Sequence, residues 1–299
     1  MTDTTPTLDA IARPGGGFAM VAMDQRESLR AMFDAAGSGR PENEVLVRFK
    51  LDVAETLGDL ASGFLIDRHY GFDRVRSSGT LPESAGLILA ADALQQEDRG
   101  PVEETELDEV VTGGDTDLAG VSALKLLIIW RRDARREHRV GLAQRFIRRS
   151  AELGLLSVLE PVVRATPEEL DAGTWDMDEA IVEAARELSP LRASLYKAQV
   201  PMAGSGTPEE QHAASEKLGA AVQGPWVVLS QGVDRDRFLP AVDAACRAGA
   251  SGFLAGRALW SDVVGAEDVP ARLRELSRPR LEKLIEVVDA QARPWSDAR

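Results

Sequence analysis

Cysteine and long apolar runs are scarce in this 299-residue sequence. Its single cysteine, Cys246, excludes an intramolecular disulfide, and its small apolar neighbours predict a buried position in a helix. No run of about 18 apolar residues is available to span a membrane. The first residues lack the basic and apolar regions of an export signal, so we expect a cytoplasmic protein.

Positive charge is also in deficit, because 35 Lys and Arg stand against 49 Asp and Glu, for a formal net charge of -14. Nucleic acid and anionic membranes are bound by basic surfaces, so we expect neither as a partner. A small anionic substrate remains compatible with this balance, since a local basic pocket can lie within an acidic exterior.

Histidine is rare, and His69, His138 and His212 are scattered along the chain. No group of His, Asp and Glu has the spacing of a metal site, so we expect no metal ion. Gly15-Gly-Gly17 precedes an apolar run instead of following one, which is not the arrangement of a nucleotide-binding loop. The sequence therefore indicates chemistry by side chains alone, without a cofactor.

The five lysines, against thirty arginines, are informative because two of them lie in apolar, strand-like runs. These are Lys125 in Ser122-Ala-Leu-Lys-Leu-Leu-Ile-Ile-Trp130 and Lys197 in Ala193-Ser-Leu-Tyr-Lys-Ala-Gln-Val200. Unlike arginine, a desolvated lysine can lose its proton and act as a nucleophilic amine that forms a Schiff base. The alternative is a lysine that extends from a strand end to solvent. We favour the Schiff base for Lys197, and both interpretations stay open for Lys125.

Eight short apolar runs alternate with amphipathic stretches along the chain. Such runs are typical of parallel strands covered on both faces, and helices between them predict an α/β fold, a single (β/α)8 TIM barrel. We expect residues 1–299 to form one domain with a short N-terminal extension, a barrel core over about 16–262 and a long C-terminal helix over about 270–292. The acidic, aperiodic residues 93–121 are expected to form a surface loop with a short helix. The predicted strands lie at 18–23, 63–66, 86–90, 122–129, 155–159, 195–197, 226–229 and 252–255.

In such a barrel the reacting groups lie at the carboxyl ends of the strands, so polar residues there would meet at one mouth. Each alone could merely end a strand or form an ion pair, but two lysines among carboxylates are more specific. A neighbouring cation such as Lys125 favours the neutral amine of Lys197, and Glu160 could move protons during imine formation and hydrolysis. The residues concerned are Asp24, Asp67, Lys125, Glu160, Lys197, Ser230 and Arg257.

Two segments together predict an anion site. Leu229-Ser-Gln-Gly-Val233 and Leu254-Ala-Gly-Arg257 each place a glycine just after an apolar run. Backbone N–H groups, the Ser230 hydroxyl and the Arg257 guanidinium suit a phosphate, and barrels often bind phosphate at the loops after strands seven and eight. Either segment alone would more often be an ordinary turn, so the prediction depends on the pair.

A family resemblance is carried by Gly16-Gly-Phe-Ala-Met-Val-Ala-Met-Asp-Gln-Arg-Glu27, Leu124-Lys-Leu-Leu127, Glu160-Pro-Val-Val-Arg164, Leu195-Tyr-Lys197, Pro225-Trp-Val-Val-Leu-Ser230 and Ala248-Gly-Ala-Ser-Gly-Phe-Leu-Ala-Gly-Arg-Ala-Leu-Trp260. These segments resemble the class I aldolases of the tagatose 1,6-bisphosphate aldolase group over about residues 10–290. Within the group they are most similar to the branch of 6-deoxy-6-sulfofructose-1-phosphate aldolases.

The resemblance implies a metal-independent cleavage of 6-deoxy-6-sulfofructose 1-phosphate to dihydroxyacetone phosphate and 3-sulfolactaldehyde. It implies that Lys197 forms the Schiff base, that Lys125 and Glu160 are the supporting lysine and the acid–base, and that Asp24 contacts substrate hydroxyls. It also implies a homo-oligomer, for which the C-terminal helix and the apolar region around Trp260 are candidate interfaces. The loops expected to hold an acidic end group of the substrate contain Ser230, Gly232, Gly256 and Arg257.

The chain departs from the family pattern at three places. Ala198-Gln199 follows the lysine where Val-Glu is expected, Gln231 follows Ser230, and the second strand ends Asp67-Arg-His-Tyr70. These departures leave open whether the group on carbon six is a sulfonate, which is a monoanion, or a phosphate, which is nearly dianionic at pH 7. Candidates for that end are Gln25, Arg26, Arg68, His69 and Gln199, and further candidate substrate contacts are Asp67 and Gln231.

Two alternative functions stay open. One is an aldolase for tagatose 1,6-bisphosphate or another ketose phosphate. The other is a non-catalytic barrel that binds sugar phosphates, which loss of the Schiff-base lysine would mark, and Lys197 is present.

Overall fold

The computed structural model describes residues 6–97 and 100–298. Residues 1–5, on which the expectation about an export signal partly rests, lie outside that part, as do 98–99 within the predicted loop and residue 299. The strands of the described part are β1 Phe18–Met23, β2 Gly63–Ile66, β3 Gly86–Ala90, β4 Asp92–Gln96, β5 Val102–Leu107, β6 Val121–Trp130, β7 Leu156–Val163, β8 Leu195–Ala198, β9 Trp226–Leu229 and β10 Gly252–Ala255.

Eight of these strands close a parallel barrel in the order β1-β10-β9-β8-β7-β6-β3-β2. Each predicted apolar run forms one of the eight, so the predicted (β/α)8 barrel is confirmed. The helices around it are α1 Glu27–Phe33, α2 Asn43–Leu57, α3 Phe72–Ser78, α4 Glu109–Thr112, α5 Arg136–Glu152, α6 Pro167–Ala172, α7 Met177–Leu188, α8 Pro208–Gly219, α9 Arg235–Arg247, α10 Arg257–Trp260, α11 Val269–Arg272 and α12 Arg278–Gln291.

Local sequence sets where several helices begin. Thr166 and Thr207 each accept a hydrogen bond from the backbone N–H three residues later, and the glutamate at that position bonds back to the threonine N–H. These capping boxes satisfy N–H groups that the first turn leaves free, and the proline that follows each threonine needs no N–H partner. The Asp176 side chain caps α7 by accepting a hydrogen bond from the N–H of Glu179.

Alternation along the strands separates two apolar cores. One lies between the strands and the helices, and the other fills the barrel, because successive side chains of a strand point to opposite faces. A short turn at Leu8–Ile11 packs onto the inner core beside the first residues of the strands, so the N-terminal extension closes the end opposite the mouth. The barrel-facing strand residues are Phe18, Met20, Ala22, Leu65, Ile88, Ala90, Ala123, Leu156, Val158, Leu195, Val227 and Leu254.

Each barrel strand contributes residues to the inner apolar core, and the position two residues after the last of these also faces inward by alternation. We call these eight residues the mouth layer, because they lie above the apolar filling, on the side toward which the strands run, and β6 and β7 continue beyond this layer. They are Asp24, Asp67, Asp92, Lys125, Glu160, Lys197, Leu229 and Gly256.

Part of the segment predicted as a loop is an antiparallel hairpin, formed by β4 and β5 and followed by the one-turn helix α4. The helix agrees with the prediction, but the hairpin was missed because its strands are polar. Glutamates of β5 pair with basic groups of the neighbouring helix and loop, which compensates for the missing apolar face. These pairs join Glu103 to Arg131, Glu104 to Arg139 and Glu106 to His138.

The C-terminal helical region runs through α11, a wide turn over Leu273–Ser277 and α12, close to the predicted bounds. The Trp260 side chain is fully buried within the fold, so it is not itself exposed for contact with another copy of the chain. Its indole N–H donates to the Ala22 carbonyl at 3.1 Å, and its ring packs edge-on against Phe49.

Cys246 is buried as predicted, and burial with the nearby Asp243 raises the pKa of its thiol to about 12. In the described part no helix has the length and apolar character needed to cross a membrane.

Closure of the barrel generates a stability prediction at Gly252, which pairs with Phe18 where β10 meets β1. Its φ of +135° is open only to glycine, and a Cβ would lie 2.0 Å from the Phe18 carbonyl oxygen. We expect Gly252→Ala to lower the free energy of unfolding by at least about 2 kcal/mol in urea titrations. Gly141→Ala in α5 is the control, because its Cβ would meet only the Arg145 side chain, at an ordinary contact distance of 3.7 Å, and the higher helix propensity of alanine should add roughly 0.5–1 kcal/mol of stability. Equal stability of the two variants would contradict this account.

Candidate active site

Six of the eight mouth-layer positions are ionisable, and the structure brings four of the predicted catalytic residues into one contact group. The two lysines and two carboxylates of this group are buried or nearly so, beneath a cavity of about 230 Å³. The four residues are Asp24, Lys125, Glu160 and Lys197.

Lys125 is surrounded by carboxylates. Its Nζ lies 2.8 Å from Asp24 Oδ2, 3.0 Å from Asp92 Oδ2 and 2.7 Å from Glu160 Oε2. Burial lowers the pKa of the Lys125 ammonium, but the three negative charges outweigh it and hold the pKa well above the usual range. Lys125 therefore stays positively charged, which decides against a nucleophilic amine at this position.

The two lysines also determine the pKa of the Asp24 carboxyl. Burial raises the pKa of the Asp24 carboxyl, but the charges of Lys125 and then Lys197 outweigh burial and bring the pKa well below its usual range. Asp24 is therefore a carboxylate that accepts hydrogen bonds, and a weak base.

Lys197 has a different environment. Its Nζ lies 2.9 Å from Glu160 Oε1, the one carboxylate within ion-pair distance in the described part of the chain. Glu160 thus bridges the two lysines, with one oxygen for each. Its Oε2 contacts Lys125 outside hydrogen-bond geometry and has no hydrogen-bond partner among the described residues. The arrangement can pass a proton between Lys197 and Glu160 while Lys125 keeps its charge.

Asp92 belongs to the site, and sequence reasoning missed it. Besides Lys125, its side chain contacts Arg26 Nη2 at 2.7 Å and the N–H of Leu127 at 3.2 Å, and its carbonyl accepts from Arg26 Nη1 at 2.8 Å. Period-two alternation could have found it, because Asp92 follows the inward-facing Ala90 by two residues, as Lys125 follows Ala123. Its position at the start of the polar hairpin obscured this signal.

Asp67 lies in the mouth layer but not on the cavity wall. Its carboxylate is paired with Lys50 of α2, and both side chains are fully buried. The Lys50 ammonium also donates to the carbonyls of Met23 at 2.8 Å and Gln25 at 2.7 Å, so it fixes the end of β1. Burial lowers the pKa of Lys50 despite the Asp67 charge. The sequence signal for Lys50 was its presence among the few lysines, on the buried face of an amphipathic helix.

The loops after β9 and β10 face the cavity with the groups expected for an anion. Ser230 Oγ accepts from the Gly256 N–H at 3.2 Å, and Arg257 has no ion-pair partner among the described residues. Burial lowers the pKa of the Arg257 guanidinium, against the opposing charges of Glu160 and Asp24. The predicted contacts that line this cavity, besides the four catalytic candidates, are Gln25, Arg26, Ser230, Gln231, Gly256 and Arg257.

Besides Asp67, three predicted substrate contacts lie outside the cavity wall. Gln199 is turned away from the cavity, since its Oε1 accepts from the Val163 N–H at 2.6 Å. Gly232 forms the turn after β9, with a φ of +81°. His69 lies beside Arg68 and Asp108 in an adjoining groove that shares Arg26 with the cavity, and burial lowers the pKa of its imidazole.

Arg164 lines the cavity and was absent from the predicted site. Its Nε is buried without a hydrogen-bond partner, and burial lowers the pKa of its guanidinium.

Among residues 6–97 and 100–298, no three His, Cys, Asp or Glu side chains are placed to hold a metal ion. Where three carboxylates do converge, the ammonium of Lys125 lies between them.

Comparison with known proteins finds a family model and curated relatives that are all aldolases. A family model described as DeoC/LacD family aldolase matches residues 18–262. Tagatose 1,6-diphosphate aldolase 2 of Streptococcus pyogenes serotype M1 is 27% identical over 313 residues, which cover 94% of this chain and 94% of the relative. Tagatose 1,6-diphosphate aldolase of Lactococcus lactis subsp. lactis is 24% identical over 322 residues, which cover 97% of each.

Two solved structures share the barrel fold. A fructose-bisphosphate aldolase from Plasmodium falciparum has a TM-score of 0.69 at 14% identity, covering 95% of this chain and 93% of that one. An archaeal fructose-1,6-bisphosphate aldolase, with its catalytic Lys covalently bound to the carbinolamine intermediate, has a TM-score of 0.55 at 17% identity, covering 94% and 97%. At these identities the likeness is one of fold.

The carboxylates around Lys125 generate a pH-dependent prediction. Lys125→Met removes the ammonium and leaves three buried carboxylates together, so we expect a loss of about 3–5 kcal/mol of unfolding free energy at pH 8. Burial would then act on Asp24 without its main opposing charge, and its pKa in the folded variant should rise above that of the unfolded chain. The folded variant would take up protons as the pH falls, so its deficit relative to the unmodified protein should shrink from pH 8 to pH 5.

Urea titrations at both pH values measure this difference. Lys283→Met on the exposed face of α12 is the matched control and should change stability little at either pH. A deficit that is independent of pH would contradict the charge balance described for Lys125.

Proposed function

Because the chain belongs to the DeoC/LacD family of aldolases, it is a lyase of the class I, Schiff-base type, and we propose that it cleaves the C3–C4 bond of a ketose 1-phosphate with Lys197 as the nucleophile. The observation that carries the assignment is the unequal environment of the two lysines. Three carboxylates hold Lys125 as an ammonium, whereas Lys197 shares one carboxylate, Glu160, with it.

The proposed reaction begins with transfer of a proton from Lys197 to Glu160. The neutral amine adds to the C2 carbonyl, and the carbinolamine loses its hydroxyl as water with a proton returned by Glu160. The resulting iminium is an electron sink. Lys125 beside Glu160 keeps positive charge at the site without entering the covalent chemistry.

Cleavage then follows from the iminium. Glu160 takes the proton of the C4 hydroxyl, the C3–C4 bond breaks, and its electron pair forms an enamine with Lys197 as the aldehyde leaves. Protonation of the enamine at C3 and hydrolysis of the imine release dihydroxyacetone phosphate and restore the lysine. Because Asp24 is a weak base, we assign to it the orientation of substrate hydroxyls through accepted hydrogen bonds.

The anion-facing loops support the orientation of the substrate. Arg257, the Ser230 hydroxyl and the backbone of the loops after β9 and β10 suit the C1 phosphate. Arg257 has no carboxylate partner in the described chain, so its charge is available to a ligand.

We propose 6-deoxy-6-sulfofructose 1-phosphate as the preferred substrate, with 3-sulfolactaldehyde as the aldehyde product. The charge balance at the mouth supports a monoanion on carbon six. Arg26, the candidate cation of the β1 end, is paired with Asp92, and Arg68 is paired with Asp108 in the adjoining groove. Tagatose 1,6-bisphosphate is the alternative, favoured by the tagatose 1,6-diphosphate aldolases among the relatives.

We also propose that residues 1–299 act as one aldolase domain, as a homo-oligomer and in the cytoplasm. A phosphorylated substrate supports the location, because doubly charged sugars do not cross membranes unaided. Size-exclusion chromatography with light scattering would test the assembly.

Reductive trapping tests the mechanism. With dihydroxyacetone phosphate and borohydride we expect one covalent adduct per chain, located at Lys197 by peptide mass spectrometry. Lys197→Arg should abolish both the adduct and turnover because a guanidinium forms no imine under these conditions. Lys217→Arg, at an exposed lysine of α8, is the control and should retain both. An adduct at Lys125 would overturn the assignment, and a folded protein with no adduct would favour a non-catalytic barrel.

Substrate preference is a separate prediction. We expect kcat/KM for 6-deoxy-6-sulfofructose 1-phosphate to exceed that for tagatose 1,6-bisphosphate by about a hundredfold, near 2.7 kcal/mol in transition-state binding. Initial rates of dihydroxyacetone phosphate release measure both. The reverse preference would keep the Schiff-base mechanism and reject the sulfonated substrate.

A further inference from the structure

Arg164 lies on the cavity wall, beyond Glu160 in the direction in which β7 runs. It follows β7 directly, and its N–H still pairs with the Trp130 carbonyl at 3.0 Å. Arg164 is four positions after Glu160, and this even spacing keeps both residues on the barrel-facing side. At roughly 3.3 Å per residue their Cα atoms are ~13 Å apart. Arg164 therefore extends the wall of the cavity outward from the acid–base.

The guanidinium of Arg164 has no anionic partner in the described chain. Glu103, a carboxylate whose charge acts on Arg164, is paired with Arg131, and the Nε of Arg164 is buried without an acceptor. An N–H that is desolvated and unpaired costs about 1–3 kcal/mol, and more in a charged group. The Nε of Arg26 is also buried without a partner, but Asp92 takes up both terminal nitrogens of Arg26. A bound anion would satisfy Arg164 but would have to compete with Asp92 for Arg26.

The strand order places the Arg164 guanidinium on the opposite side of Lys197 from Arg257. In the barrel β8 carries Lys197 and lies between β9 and β7. The anion-facing loops, with Arg257, follow β9 and β10, and Arg164 follows β7. The two cavity-lining guanidiniums that lack a carboxylate partner among the described residues therefore lie on opposite sides of the lysine. A ketose bound at Lys197 with its C1 phosphate at Arg257 would direct its far end to Arg164.

We propose that Arg164 binds the anionic group on carbon six and so determines which ketose 1-phosphates are cleaved. The inference rests on the proposed function and extends it to the far end of the substrate. The planar guanidinium offers parallel N–H donors, which match two oxygens of a sulfonate or phosphate. One unpaired guanidinium balances one negative charge, which favours a sulfonate.

The test compares two substrates that differ only on carbon six. One is 6-deoxy-6-sulfofructose 1-phosphate and the other is fructose 1-phosphate, which has a neutral hydroxyl there. We expect Arg164→Met to lower the ratio of their kcat/KM values about thirtyfold or more, with a change below about threefold for fructose 1-phosphate. Arg164→Lys, which keeps the charge but not the paired donors, should lower the ratio less. Arg148→Met, at an exposed arginine of α5, should leave it unchanged.

An unchanged ratio in Arg164→Met, or an equal loss on both substrates, would overturn the proposal. If the Met variant does not fold, Arg164→Lys decides: a fall of threefold or more in the ratio supports the role, and no fall rejects it. Fructose 1,6-bisphosphate as a third substrate distinguishes the two anions, since a greater sensitivity of this substrate to Arg164→Met would identify a phosphate as the ligand.

Failure of the proposed function would be recognisable separately. Dihydroxyacetone phosphate lacks carbons four to six, so borohydride trapping at Lys197 should be the same in Arg164→Met and in the unmodified protein. Absence of trapping in the unmodified protein rejects the Schiff-base assignment. Normal trapping with an unchanged substrate ratio rejects only the role of Arg164.

Discussion

One ammonium among three buried carboxylates is the interaction on which the mouth of this barrel depends. Lys125 of β6 contacts groups from β1, from the hairpin that follows β3, and from β7, so one charge ties together widely separated parts of the rim. Without it, three anions would face one another in a poorly hydrated space. The position of Glu160, and through it that of Lys197, follows from this balance.

In the proposed mechanism the same balance gives two chemically identical side chains, Lys125 and Lys197, different functions. An amine must lose a proton to attack a carbonyl, while a neighbouring positive charge must persist to favour that loss. In the proposed mechanism Lys125, which contacts three carboxylates, keeps its charge, and Lys197, which contacts one, is the amine that reacts. Both lysines lie in the same layer of the barrel, on β6 and β8 with β7 between them, so the proposed difference in reactivity comes from the carboxylates that each one contacts.

Local patterns predicted the fold and part of the site, because apolar runs and period-two alternation are properties of neighbouring residues. All eight barrel strands and the grouping of Asp24, Lys125, Glu160 and Lys197 follow from those patterns. The rest depends on contacts between distant segments. The polar hairpin is stabilised by pairs with α5 and the loop before it, and the Asp67 carboxylate is neutralised by Lys50. The members of these pairs lie 17 and 35 positions apart, so the alternation of neighbouring residues does not connect them.

The burial of three of the five lysines has a further consequence for a protein that handles carbonyl compounds. Reactive aldehydes modify accessible amines, and lysines are the usual positions of such damage. Lys217 and Lys283 are the exposed lysines of the described chain, and the other basic side chains of the acidic surface are mostly arginines. Covalent capture of carbonyl groups is thus concentrated inside the cavity, and the exterior offers few places where the same chemistry could accumulate as adducts.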